Sequence, residues 1–151
     1  MKTDLVVAGY IFDNGNVLLI KHKKLGLWLP VGGHINENET PDDALLREIK
    51  EETNLDINIL GNNNINLEGN VKKNLAAPFH ANVHSVGDHD HCCFFYLCKA
   101  LNPEKLKINN DLDGFKWVSM NELESKEIPA DVRNIGMRAF EILGKVNNSS
   151  Q

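Results

Sequence analysis

Glu48, Glu51 and Glu52 stand three and four positions apart, the spacing that gathers side chains on one helical face. Arg47 joins them there, while Leu45, Leu46, Ile49 and Thr53 form an apolar stripe on the opposite side. Like charges at this spacing oppose helix formation by ~0.2–0.5 kcal/mol per pair. A structural helix would gain by exchanging one glutamate for lysine. Hard divalent cations such as Mg²⁺ take oxygen ligands and keep several waters beside one or two carboxylates. Three carboxylates from neighbouring turns suit one or two such ions. A lone Glu-x-x-Glu-Glu is ordinarily a solvated acidic face, and the residues around it change that reading.

The helix that positions these groups is well signalled. Thr40 offers a hydroxyl N-cap, Pro41 suits the first helical position, and Asp43 places a carboxylate at the third. The helix is expected over 41–53, with Asn54 as a left-handed cap. Upstream, apolar runs at 4–12 and 16–22 flank Asp13-Asn14-Gly15, a hairpin signal. Residues 25–33, punctuated by Gly26, Pro30, Gly32 and Gly33, read as a loop. Alternation from Leu55 to Leu67 predicts strand, turn and strand, broken at Gly61-Asn62-Asn63-Asn64. Two further strands are expected over 74–85 and 92–101, joined by a polar loop at 86–91, and a short one over 114–119. A helix is expected over 130–144, stopped by Gly144. The pattern predicts an α/β fold with a mixed sheet between helices: one domain over 1–146 and a frayed tail at 147–151.

The bulk numbers suit one ordinary domain: 151 residues, 42% hydrophobic and 25% charged. A net charge of −5 argues against duplex nucleic acid as a partner. No segment reaches the ~20 apolar residues of a membrane span, and the N-terminus does not read as a secretory signal. Cys92, Cys93 and Cys98 cluster in an apolar run, which fits buried reduced thiols and a cytoplasmic protein.

Gly33, Glu39, Arg47, Glu48, Ile49, Glu51, Glu52 and Leu55 stand at the spacing of the Nudix box, and the sequence resembles the Nudix hydrolase family. Asn54 occupies the position where the family usually has glycine, and asparagine tolerates the same backbone conformation. Trp28-Leu29-Pro30-Val31-Gly32-Gly33-His34 resembles the family's approach to the box, and Gly114-Phe115-Lys116-Trp117-Val118 its last strand. The resemblance implies an α/β/α sandwich in which the box forms a loop–helix–loop. It implies Mg²⁺, with Mn²⁺ as the alternative ion, held by Glu48, Glu51, Glu52 and the Gly33 carbonyl. Arg47 would orient the glutamates through a salt bridge with Glu39, a task suited to the arginine fork. The implied reaction is hydrolysis of a pyrophosphate bond in a nucleotide or nucleoside diphosphate derivative by a metal-activated water, with Glu52 the first candidate base. Some relatives pair, so a homodimer is compatible with the resemblance.

Outside the box the alternatives stay open. Asp111 and Asp113 could supply a further acid from a late loop, or serve only as turn residues. His80, His84, His89 and His91 are four of the six histidines. They read as substrate-pocket lining, as structural residues, or as a second metal site; a similar His-x-His strand in some Nudix proteins favours the first two. Trp28 and Phe79 could stack on a base, although single aromatics more often pack. The alternative function is a Nudix-fold module that senses a nucleotide without cleaving it, but such proteins lose box glutamates and this chain keeps all of them. An isomerase-like relative or a loose Ca²⁺-binding domain would not explain the cysteine positions or the offsets of Gly33, Glu39 and Arg47.

Overall fold

The computed structural model describes residues 1–61 and 64–149, with side chains through Asn147. The elements run β1 (Thr3–Asp13), β2 (Asn16–His22), β3 (Trp28–Leu29), β4 (Val31–His34), α1 (Pro41–Thr53), β5 (Ile57–Leu60), β6 (His80–Ser85), β7 (Asp90–Ala100), β8 (Leu112–Val118) and α2 (Ala130–Ser149). One mixed sheet holds all eight strands. β1 is its axis: it runs parallel to β7 from Thr3↔Asp90 to Phe12↔Lys99, and antiparallel to β4 from Val6↔His34 to Gly9↔Val31. β2 meets β1 only at the turn, through Phe12↔Val17 and Asp13↔Asn16, then pairs with β8.

Strand alternation sends successive side chains to opposite faces, and here both faces are buried. Val6, Ala8, Tyr10 and Phe12 point to one side with Cys93, Phe95 and Leu97, where Val132, Ile135 and Ala139 of α2 cover them. Val7 and Ile11 point to the other with Tyr96 and Cys98, beneath Leu45 and Ile49 of α1. The result is the expected α/β/α sandwich. The cysteines follow the same division: Cys93 and Cys98 are buried, and burial pushes the Cys93 thiol up to about 12.

Several boundaries differ from the sequence reading. The 25–33 loop contains β3 and β4, because β1 leaves β2 at the turn and its remaining edge takes Val31–His34 as a partner. The strand expected around Ile65 and Leu67 does not form, and both side chains are exposed. Asn62 and Asn63 of the expected turn lie outside the described residues. Residues 74–79 precede the strand rather than belonging to it. There the Asn74 amide donates to the Ile65 carbonyl, and the Ala76 N–H donates to the Asp42 carboxylate. β7 begins at Asp90, shortening the polar loop before it. α2 continues through Gly144 to Ser149, since a lone glycine costs a helix only about 1 kcal/mol relative to alanine. Ser150 and Gln151 lie outside the described residues.

Candidate active site

α1 begins and ends where its local chemistry dictates. Thr40 Oγ1 accepts from the Asp43 N–H at 3.1 Å, and Pro41 occupies the first turn. At the other end Asn54 adopts φ 62° and ψ 13°, and its N–H donates to the Lys50 carbonyl at 3.0 Å. Its side-chain amide reaches the Lys105 carbonyl at 3.1 Å, an anchor glycine could not provide. Ala44, Leu45, Ile49 and Thr53 are fully buried against the sheet, whereas Leu46, expected in the same stripe, is 43% exposed. The acidic face is thereby turned toward β4.

Arg47 organises that face. Its Nε and Nη2 donate to the two oxygens of Glu39 at 2.7 and 2.9 Å, a bidentate pair. Nη1 reaches Glu48 Oε1 at 2.9 Å and Glu51 Oε2 at 3.3 Å, while Nη2 also donates to the His34 carbonyl at 2.9 Å. Glu39 further accepts from the Asn36 N–H. The arginine contact and then that backbone bond push the Glu39 carboxyl down to about 2, so it stays ionised at all ordinary pH. The 37–40 loop, α1 and the end of β4 are thus held by one guanidinium.

Glu52 is different. It is 7% exposed, and its Oε2 has no hydrogen-bond partner; the His22 Nε2 lies 3.8 Å away, on an imidazole whose burial favours the neutral form. Burial, and next the charge of Glu48, push its carboxyl up to about 8 against a backbone bond from Gly32; Glu51 and Asp111 add to the rise. A buried carboxylate oxygen with no donor, among other carboxylates, is costly unless a cation is bound. Mg²⁺ meets that need with the donor type it prefers. The three carboxylates are not drawn to one point: Arg47 holds Glu48 and Glu51 from the side, and Glu52 turns inward.

Gly33 completes the wall. It pairs with Val7 in β4, and a Cβ there would overlap the Glu48 carboxylate. Gly33→Ala is therefore expected to displace Glu48 and weaken Mg²⁺ binding on the order of 10-fold or more, with the helix content of α1 unchanged. Titration calorimetry beside circular dichroism checks this, and unaltered Mg²⁺ affinity would sink it.

A cleft of about 700 Å³ opens over this wall, lined by Gly33, Glu48, Glu51 and Glu52 together with His22, Lys23, Lys24 and Asp111. The NUDIX domain model matches residues 2–138 of this chain. The chain belongs to the Nudix hydrolase family. Members of this family act on pyrophosphate bonds of nucleotide derivatives. The chain is similar to a Nudix-family hydrolase of Clostridium perfringens, with 29% identity, 95% of this chain and 99% of that one covered, and a TM-score of 0.83. It is 30% identical to an RNA pyrophosphohydrolase of Hydrogenovibrio crunogenus over 74% of this chain and 71% of that protein. A segment covering 34% of the chain is 40% identical to an 8-oxo-dGTP diphosphatase of Proteus vulgaris, and spans 51% of that relative's length.

Around the Nudix cleft, the residues singled out beyond the box divide. Asp111 borders the cleft and adds to the field on Glu52, whereas Asp113, exposed on β8, does not line it. His84 and His91 line the cleft, facing each other across the β6–β7 pair. His80 lies apart, packed on Phe95 at 5.7 Å between ring centroids. His89 joins His91 at 5.1 Å. Trp28 stands outside the cleft lining with Lys116 Nζ 4.3 Å over its ring, and Phe79 packs edge-on against Tyr10. Sequence reasoning missed His22, paired with Leu112 of β8, and Lys23 and Lys24 in the turn just after β2, where the Lys23 N–H donates to the Asp111 carbonyl; no local pattern marks them. Asp4 and His34 were also missed. Both sit in ordinary strand context, and only the pairing of β1 with β4 and β7 reveals their neighbours.

Proposed function

We propose that this Nudix hydrolase cleaves a pyrophosphate bond of a nucleoside triphosphate or a compact nucleoside diphosphate conjugate, with Mg²⁺ as cofactor and Mn²⁺ able to replace it. The observation that carries the proposal is the buried Glu52 oxygen, unpartnered among carboxylates at the floor of a cleft. Glu48, Glu51, Glu52 and the Gly33 carbonyl would hold the ion. Bound there, Mg²⁺ would lower the pKa of a coordinated water and stabilise charge on the phosphate oxygens. Glu52 accepts the proton of the attacking water as its oxygen bonds to one phosphorus. The P–O–P bridge breaks, and the bond's electrons leave with the departing phosphate. Arg47 and Glu39 position the glutamates, and Lys23 and Lys24 at the rim oppose the charge of the incoming phosphates. The relatives named for 8-oxo-dGTP and for RNA support a substrate bearing a 5′ phosphate chain. The catalytic unit is assigned to residues 1–146.

The test is a panel of nucleoside triphosphates, dinucleotides and nucleoside diphosphate conjugates with purified protein and Mg²⁺, products resolved by chromatography. One class is expected to be cleaved, and a chelator to abolish turnover. Binding without cleavage of any of them would instead make the protein a nucleotide sensor.

A further inference from the structure

On the α2 side of the sheet, where His34 and His91 also line the cleft, the structure brings Asp4, His34, His89 and His91 together. One ligand atom from each lies within 4.8 Å of all the others. Three separate pairings create the group. Asp4 sits opposite His91 across the parallel β1–β7 ladder. His34 sits opposite Val6, two residues along β1 on the same face as Asp4. His89 enters from the turn before β7, where the Asp90 N–H donates to the Lys2 carbonyl.

We propose that these four side chains form a binding site for one Zn²⁺ ion, separate from the glutamates of the box. Tetrahedral zinc with bonds of about 2.0–2.1 Å sets its ligand atoms roughly 3.3 Å apart. Two edges of that tetrahedron are already present: Asp4 Oδ2 lies 3.1 Å from His34 Nε2 and 3.4 Å from His89 Nε2. His34 is more than half exposed and its ring meets that of His91 edge-on at 5.2 Å, so two of the ligand-bearing rings already adjoin. His89 is also oriented as a ligand. Its Nδ1 faces Asp88 Oδ1 at 2.7 Å, which leaves the Nε2 lone pair for a metal. A carboxylate behind a metal-binding imidazole is the recurrent supporting arrangement of such sites.

The donor set selects the ion. Imidazole nitrogens favour zinc and its transition-metal neighbours over Mg²⁺, which prefers oxygen. Four protein ligands leave no open position, the pattern of a structural rather than a hydrolytic zinc. A phosphate is disfavoured in the same place, because the Asp4 carboxylate lies at its centre. The neighbouring Cys92 is not a ligand, since adjacent residues on β7 point to opposite faces. Zinc would fasten β1, the end of β4 and the β6–β7 turn to one another. It would also fix His34, whose carbonyl receives Arg47.

The experiment is a Zn²⁺ titration of the full chain in excess Mg²⁺, so that the oxygen ligands of the box are saturated, with melting temperature and the visible spectrum of the Co²⁺ form as further readouts. Binding of one ion, a rise in melting temperature and the intense absorption of four-coordinate Co²⁺ are expected. His91→Ala should weaken binding on the order of 100-fold and Asp88→Asn about 10-fold, while His80→Ala leaves it unchanged. Circular dichroism verifies folding; if His91→Ala unfolds, Asp4→Asn takes its place. No zinc binding in excess Mg²⁺, unaltered affinity in the cluster variants, or protection of the cluster by inorganic phosphate instead of zinc would each overturn the proposal. None of these readouts depends on hydrolysis.

Discussion

Glu52→Gln is expected to slow hydrolysis at least ~100-fold, about 2.7 kcal/mol of transition-state stabilisation, and yet to raise the melting temperature of the metal-free protein at pH 8. Both effects have one origin. The carboxyl is buried beside Glu48 and Glu51, so its neutral form is favoured and the group is pushed up to about 8. In the unfolded chain it returns to about 4.3. Between those values the folded state holds a proton that the unfolded state has released. Stability of the metal-free protein is therefore fully present below about pH 4 and falls as pH rises toward 8. Glutamine, neutral at every pH, removes that loss, and the gain amounts to a few kcal/mol at most. The variant should come closest to wild type at about pH 4 and exceed it increasingly up to pH 8. Mg²⁺ binding to wild type should strengthen over the same interval, as the proton competing for the carboxylate is lost. Melting curves at several pH values in a chelator, beside turnover in Mg²⁺, measure both. Equal turnover would remove Glu52 from the chemistry; an equal melting temperature at pH 8 would remove the strain.

Arg47→Lys should be nearly as damaging to turnover as Arg47→Ala, at roughly 10- to 100-fold in kcat, because the missing feature is the fork rather than the charge. One guanidinium reaches Glu39 with two bonds, Glu48 and Glu51 with one each, and the His34 carbonyl with a fifth. A lysine ammonium has three donors at a single point and cannot bridge α1, the preceding loop and β4 together. Arg47→Ala should cost stability as well, about 1–3 kcal/mol. The value is kept modest because the arginine side chain is 27% exposed and water replaces part of the loss. The lysine variant should need more Mg²⁺ for half-maximal rate, its glutamates being less well held. Denaturant midpoints and the Mg²⁺ dependence of kcat separate the two effects. Wild-type kinetics in Arg47→Lys would show that the network is ornamental to catalysis.

What could be read from the sequence was what local chemistry decides. The bounds of α1 follow from Thr40, Pro41 and Asn54, each acting within its own turn. The fixed offsets of Gly33, Glu39, Arg47 and the glutamates carried the family, and the structure joins Arg47 to Glu39 as expected. What stayed hidden depends on pairing between distant strands. β4, with Gly32 and Gly33 at its centre, has the composition of a turn and is a strand only because β1 offers it an open edge. Ile65 and Leu67 carry the right alternation but form no strand. The four histidines at 80–91 looked like a single group, yet register sends His80 to Phe95, sets His84 opposite His91, and gathers His89 and His91 around Asp4 and His34.

The parallel ladder between β1 and β7 also bears on how the chain folds. Thr3 waits for Asp90 and Phe12 for Lys99, so the central pairing of the sheet closes a long loop before it gains its contacts. Pairings of that kind make folding slow for a domain of this size, because loop entropy is lost first. During synthesis from the N-terminus, β1 and β2 emerge long before β7, with Val6, Val7, Tyr10, Ile11 and Phe12 still uncovered. The strand that organises the finished molecule is thus open to aggregation while the chain is incomplete.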